Sequence, residues 1–305
     1  MEKLLITGST GFIGRQLLGV VENPRCVVRA DEKHSLSNCF TVTNIDENTD
    51  WTGAFDGIEA IIHLAGVAHV NGEKDEAIFQ SVNTKGTLAL ARQAASSGVR
   101  RFVFVSSIGV NGTRTVGVPF SPYEPPNPHN AYSTSKFDAE VGLKKIEAET
   151  GLEVVVVRPT LVYGPNAPGN FNSLVKLVQK LPVLPFGLAD NRRDFIAVQN
   201  LVDLLITCVT HPNASGNTFL ASDFETVSIK KFTNAISRGL GKSTLQIPLP
   251  ISLMRLIGKI TGKSTVIEQL YGDLEVDSSN LKEVLGWTPP LTMKQAMLLL
   301  NNSSR

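Results

Sequence analysis

The chain has 305 residues, 42% of them hydrophobic and 19% charged, with a formal net charge of +1. That length can bury one large core or two unequal ones. A near-neutral balance without like-charge runs argues against a nucleic-acid binder, which would show a basic field, and against an electrostatic tail. In chain order, Leu4–Ile6 reads as a strand, followed by an amphipathic stretch to Val21 and a second strand at Cys26–Arg29. Further strands are predicted at Ala60–Leu64, Arg101–Ser106 and Val154–Arg158, with helical periodicity over Asn83–Ser96 and Tyr132–Glu149. This alternation predicts an α/β fold, a doubly wound parallel sheet of Rossmann type covered on both faces.

After Pro159 the texture changes. Residues 164–170 form a loop, Phe171–Lys180 reads as a helix, and Phe195–Val209 with Thr218–Ala221 could return a helix and a strand to the sheet. From about Thr226 the chain is helical until the turn at Trp287-Thr288-Pro289-Pro290. The expected organisation is a dinucleotide-binding domain over 1–165 with about 195–225. A smaller C-terminal substrate-binding domain would take 166–194 with about 226–305. No apolar run reaches the roughly 18 residues of a membrane span, and the first seven residues enter a Gly-rich turn too soon for a signal peptide. Cys26, Cys39 and Cys208 are scattered, odd in number and without metal-type spacing. The expectation is a cytoplasmic protein with reduced cysteines, no metal site and no membrane insertion.

The first chemical signal is Gly8-Ser9-Thr10-Gly11-Phe12-Ile13-Gly14, which follows a strand and opens a helix. Its glycines permit a tight turn and close backbone approach to a pyrophosphate, which the helix N-terminus then attracts. Asp31 lies past the second strand, where a carboxylate accepts ribose hydroxyls and repels a 2′-phosphate. That favours NAD, with NADP as the alternative because Arg29 and Lys33 are near in sequence.

Tyr132 and Lys136 share one face of a helix at i and i+4. A neighbouring ammonium should lower the phenol's pKa and ready it for proton exchange with a substrate hydroxyl. Ser107, at the end of the strand before it, can orient the reacting oxygen; Ser106 competes for that role, since one residue flips a side chain across a strand. His63 is expected to be a satisfied structural histidine and Asn83 a backbone-bonding one. His129 is a weaker candidate for substrate contact, and Arg158 can be purely structural.

GSTGFIG, HLAG (63–66), VNTKGT (82–87), FVSSIGVNG (104–112), YSTSK (132–136), RPTLVYGP (158–165), RDFI (193–196) and LGW (285–287) together resemble the extended short-chain dehydrogenase/reductase family. Asp50-Trp51, His69-Val70 and SSIGVNG resemble its bacterial UDP-N-acetylhexosamine 4-epimerase and UDP-4-keto-6-deoxy-hexosamine 4-reductase branch. The resemblance implies that Gly8, Gly11 and Gly14, with Phe12 and Ile13 between them, hold the pyrophosphate, and Asp31 the ribose. It also implies Ile45 and Asp46 beside the adenine, Leu64, Ala65 and Gly66 along the cofactor, and Tyr163 near the nicotinamide. Ser107, Tyr132 and Lys136 become the catalytic set, while Asn170 and Arg193 become contacts to the UDP phosphates. The chain departs from the family pattern at Asn111, and a late pyrophosphate-binding Arg is missing near Gln269–Asp273, where Gln269 or Arg255 could stand in.

The implied activity is NAD(P)-dependent chemistry at C4 of a UDP-linked N-acetylated hexose by a homodimer. Net reduction of a UDP-4-keto-6-deoxy sugar is the first expectation, because epimerases of this kind usually carry a longer C-terminal region. The alternatives are a UDP-glucose or UDP-N-acetylglucosamine 4-epimerase and, more distantly, a non-catalytic NAD(P)-binding regulator.

Overall fold

The computed structural model describes residues 3–68 and 75–301; the His69-Val70 pair quoted above lies outside them. Strand β1 (Leu4–Thr7), buried at all four positions, leads through the Gly-rich turn into α1 (Phe12–Leu18). β2 (Arg25–Arg29), β3 (Cys39–Val42) and β4 (Ala60–His63) follow. The sequence reading missed β3: it is four residues long and only Val42 is buried, so no apolar run marks it. It is fixed instead by pairing with β2, Cys26 opposite Cys39 through Arg29 opposite Val42.

α2 (Asp75–Phe79) runs into a π-helical stretch, Gln80–Gly86, and then into α3 (Thr87–Ser96). The widened turn carries Asn83 inward, where its Oδ1 accepts from Val67 N at 2.8 Å and its Nδ2 donates to Val67 O at 2.9 Å. Such π segments are often found beside functional sites. β5 (Arg101–Val105) ends in a 3₁₀ turn, Ile108–Val110. The long helix α4 (Ala131–Thr150) starts from a capping box between Asn130 and Ser133 and stops at Gly151, whose φ of 75° suits glycine.

β6 (Glu153–Pro159), β7 (Leu161–Tyr163), α5 (Gly169–Lys180), β8 (Val183–Leu184) and β9 (Phe195–Ala197) come next. α6 (Val198–Thr210), β10 (Thr218–Ala221), α7 (Ile229–Gly239) and β11 (Leu245–Gln246) follow. The chain closes with α8 (Ile251–Ile260), α9 (Ser264–Tyr271), α10 (Ser279–Leu285) and α11 (Met293–Leu298).

Among the described residues the main sheet has seven strands in the order β10-β6-β5-β4-β1-β2-β3, every pair parallel. The returning strand expected at 218–221 is β10, beside β6. Period-two alternation splits each inner strand between two cores. Leu4, Ile6, Ile62, Val103 and Val155 pack on α6, whereas Leu5, Ile61, Phe102, Phe104 and Val154 pack on α3 and α4. A third core gathers Phe171, Leu174, Phe186, Phe232 and Met297 from both segments expected to form the second domain, joined by Tyr163, Phe195 and Ala197. Its centre is the stacked Phe195–Phe232 pair, with ring centroids 3.8 Å apart. Strand order reverses between β1 and β4, which opens a crevice at their C-terminal ends where such sheets receive ligands.

Candidate active site

The loops after β1 and β4 meet in that crevice. Gly8 has a φ of 69° and leaves β1 in a conformation that L side chains avoid; a Cβ there would also lie 2.9 Å from Ala65 N. A Cβ on Gly14 would sit 2.2 Å from Gly8 O, so glycine lets α1 turn directly against the loop. The result is a bare backbone cradle at a helix N-terminus, which fits a dinucleotide pyrophosphate. Ile13, Leu64 and Gly66 line the adjoining cavity of about 850 Å³.

Ser107, Tyr132, Lys136, Asn170 and Arg193 line that same cavity, so residues from β5, α4, α5 and the strand region before β9 converge on one space. Ser106 and Ser107 both stand on the cavity wall and differ in their partners. Ser106 Oγ donates to Glu140 Oε1 at 2.5 Å, whereas the Ser107 hydroxyl accepts from Gly109 N at 3.1 Å and pulls the Tyr132 pKa down. Lys136 is buried, donates from Nζ to Val105 O at 3.0 Å, and lies 4.7 Å from the centroid of the Phe104 ring. A Cβ on Gly66 would lie 3.0 Å from Asn83 Oδ1 and 3.1 Å from Lys136 Nζ, a tight fit beside the lysine.

The electrostatics differ from the sequence expectation. Burial raises the Tyr132 pKa, and the Ser107 hydrogen bond opposes that rise only in part. Burial lowers Lys136 to about 8, against an upward pull from Glu140. The ammonium is held by the Val105 carbonyl, so the phenol is not ready to ionise through Lys136 alone.

Other expected positions divide. Ile45 packs in the core beside α3. Asp46 closes its own turn, accepting from Asn48 N at 2.9 Å. The Asp31 side chain is 77% exposed and faces Arg29 at 3.7 Å; its neighbour Glu32 reaches the Gly-rich loop, accepting from Thr10 Oγ1 at 3.2 Å. Tyr163 corrects the expectation. It is fully buried in the third core, and its hydroxyl donates to Asp223 Oδ2 at 2.7 Å, so the cavity wall there is made by Pro159, Thr160, Leu161 and Val162 instead.

Arg193 anchors the far end of the cavity, with Nη1 donating to Gln269 O at 2.8 Å and Gly272 O at 2.9 Å. Of the two stand-ins for a late arginine, Gln269 lines the cavity, while Arg255 is on the surface, paired with Glu268 at 2.8 Å. Lys263 also lines the cavity and escaped the sequence reading; a cation in an ordinary Thr-Gly-Lys turn gave no signal. His129 is at the wall, its Nε2 within 3.0 Å of Asn130 Nδ2.

His63 is buried between Thr7 and Thr87, at 2.7 and 2.9 Å. Because the Thr87 hydroxyl donates to Asn83 O, Nε2 carries the proton and Nδ1 accepts from Thr7. This neutral imidazole has its pKa lowered to about 3, by burial first and then by Lys136. Arg158 is buried against Glu140, and its Nη1 donates to Asn111 Oδ1 at 2.9 Å, which gives the unusual Asn111 a structural task. Among the described residues no cluster of metal-ligating side chains occurs, and no helix is long and apolar enough to cross a membrane.

Residues 4–221 match the model of the NAD-dependent epimerase/dehydratase family. The chain is 40% identical to the UDP-glucose 4-epimerase of Vibrio cholerae, over 99% of this chain and 97% of that one. Two solved structures share the fold from end to end. The UDP-N-acetylglucosamine 4-epimerase of Bacillus cereus superposes with a TM-score of 0.80 at 18% identity, covering 99% of both chains. The UDP-glucose 4-epimerase of Thermotoga maritima, solved with UDP-glucose, gives 0.76 at 21% identity, covering 99% of this chain and 98% of the other.

Proposed function

The chain belongs to the NAD-dependent epimerase/dehydratase family, and from that premise we propose that it interconverts the C4 epimers of a UDP-linked hexose, either UDP-glucose or its 2-N-acetylated counterpart. The carrying observation is the 40% identity to a UDP-glucose 4-epimerase across 99% of this chain. The Ser107, Tyr132 and Lys136 side chains on one cavity supply the chemistry such a reaction needs. Net reduction, the first expectation from sequence, loses its support. That expectation rested on a short C-terminal region, yet the chain spans 97% of the Vibrio epimerase. A non-catalytic regulator would have no use for a serine, a tyrosine and a lysine converging on one cavity.

Bound NAD would supply the hydride acceptor and donor for chemistry at C4 of the sugar. The reading assigns Gly8, Gly11 and Gly14 to the pyrophosphate, Asp31 to the adenosine ribose, and Leu64 to Gly66 to the cavity side of the cofactor. Asn170 and Arg193 take the UDP phosphates, assisted by Lys263 and Gln269, because guanidinium and ammonium groups suit phosphate oxygens.

Tyr132, as phenolate, takes the C4 hydroxyl proton while the C4 hydrogen leaves, and returns the proton once the 4-keto sugar has turned its other face. Ser107 holds the C4 oxygen beside the phenol. Burial opposes the phenolate, so Lys136, with the positive charge that an oxidised nicotinamide would supply when bound, must outweigh it. At neutral pH Lys136 meets its part of that requirement, since its pKa of about 8 leaves it mostly protonated. The test is incubation of purified protein with UDP-glucose or UDP-N-acetylglucosamine and catalytic NAD. Accumulation of the C4 epimer supports the reading, and stoichiometric dependence on a reduced nicotinamide overturns it.

A further inference from the structure

Helix α8 carries an apolar stripe that the fold leaves uncovered. Leu253, Leu256, Ile257 and Ile260 follow the i, i+3, i+4, i+7 spacing of one helix face, and they are 41%, 53%, 41% and 76% exposed. The opposite face is buried through Met254 and Gly258. Gly258 sits so close to α9 that a Cβ would lie 2.8 Å from Ile267 Cγ1, which fixes the rotation of α8 and directs the stripe outward. An amphipathic helix ordinarily turns such a stripe into its own core.

The charge around the stripe is one-sided. Arg255 and Lys259 are the charged residues of α8, and Lys263 follows in the turn. Residues 251–263 hold three basic side chains and no acid, in a chain whose net charge is only +1, and the one acid of α9 is Glu268. Glu268 is itself occupied by Arg255, through hydrogen bonds of 2.8 and 3.2 Å. The same hairpin forms one rim of the catalytic cavity, through Lys263, Val266, Gln269 and Leu270.

We propose that the α8–α9 hairpin docks on an anionic lipid bilayer, with the stripe entering the headgroup boundary and Lys259 beside it meeting lipid phosphates. An apolar face flanked by lysine and arginine is the pattern of helices that lie in a membrane interface, and each cation near an anionic leaflet adds attraction. A second copy is the poorer occupant. A twofold contact through this stripe would set the same cationic segment against itself. Docking of this kind needs no spanning helix, and it would open the catalytic cavity at the membrane surface.

The experiment is co-sedimentation of the full chain with phosphatidylcholine vesicles, with and without phosphatidylglycerol. Wild type should pellet with the anionic vesicles and be released as salt screens the contact. Leu256→Glu and Ile260→Glu should each weaken that binding about tenfold, with an unchanged melting temperature, because both side chains are exposed and outside the cavity. Sedimentation velocity without lipid is run on the same proteins. Failure of wild type to bind anionic vesicles overturns the proposal, as does equal binding by the variants. A fall in solution mass caused by Ile260→Glu would assign the stripe to an interface between copies and overturn it as well.

Discussion

Arg158 and Glu140 form a bidentate ion pair at the buried joint between β6 and α4, Nε to Oε1 at 3.0 Å and Nη2 to Oε2 at 2.5 Å. Both side chains are at most 5% exposed. Glu140 also accepts from Ser106, and it stands one helical turn beyond Lys136, whose pKa it raises. One carboxylate therefore pins the helix bearing Tyr132 and Lys136 to the end of the strand bearing Ser107.

Glu140→Gln should consequently act twice. It leaves the Arg158 guanidinium buried without its counter-charge, which should cost about 3 kcal/mol of stability, visible in chemical denaturation. It also withdraws the upward pull on Lys136, so the lysine titrates below its present value of about 8. The alkaline limb of the pH profile of kcat/KM should move to lower pH. An unmoved limb in a folded variant would separate Glu140 from the lysine's titration.

Tyr132→Phe keeps the ring against Phe79, at a centroid distance of 6.1 Å, and removes only the hydroxyl. Turnover should fall roughly a hundredfold to ten-thousandfold, with fold and cofactor affinity retained. Ser107→Ala should lose less, about a hundredfold or under, since it removes orientation and one hydrogen bond. Steady-state rates and cofactor titration of both variants decide this, and near-normal turnover in Tyr132→Phe would rule the proton-transfer role out.

The candidate catalytic and Gly-rich residues could be singled out because the chemistry proposed for them imposes short spacings: three glycines in one turn, and Tyr132 with Lys136 one helical turn apart. The partners that set their behaviour could not. Glu140 and Arg158 are 18 residues apart with no local pattern joining them. Tyr163 pointed to the cofactor in sequence, but its hydroxyl is claimed by Asp223, 60 residues later. The readiness of the Tyr132 phenol was misjudged for a related reason: i to i+4 spacing shows a shared face, but neither the depth of burial nor the Val105 carbonyl that holds Lys136. α8 read as one more helix, since periodicity reports a stripe and cannot say whether anything covers it.

His63 gives stability a dependence on acid. Its folded pKa of about 3 lies below its unfolded value of 6.5, so the unfolded chain binds the extra proton first. The contribution is complete above pH 6.5 and is lost as pH falls toward about 3. His63→Gln should lower stability at neutral pH through lost packing on Phe102 and Phe104, and should flatten the fall in unfolding free energy over that window. Equal slopes in wild type and variant would show that His63 is not the group responsible.

Asp31 stands at the exposed turn after β2. Asp31→Ala should narrow the preference for NAD over NADP severalfold, because a carboxylate there accepts ribose hydroxyls and repels a 2′-phosphate. Little change in melting temperature is expected from so exposed a side chain. Binding isotherms for both cofactors check this, and an unchanged preference would transfer the discrimination to Glu32 or Arg29.

The central claim is that hydrogen leaves C4 of the sugar as hydride and returns to the same carbon on its other face. The most direct measurement is proton NMR of the UDP-sugar turned over in D₂O with catalytic NAD. The account predicts an equilibrium mixture of C4 epimers that retains protium at C4. Deuterium at C4, or no epimer without a stoichiometric supply of NADH, would contradict it.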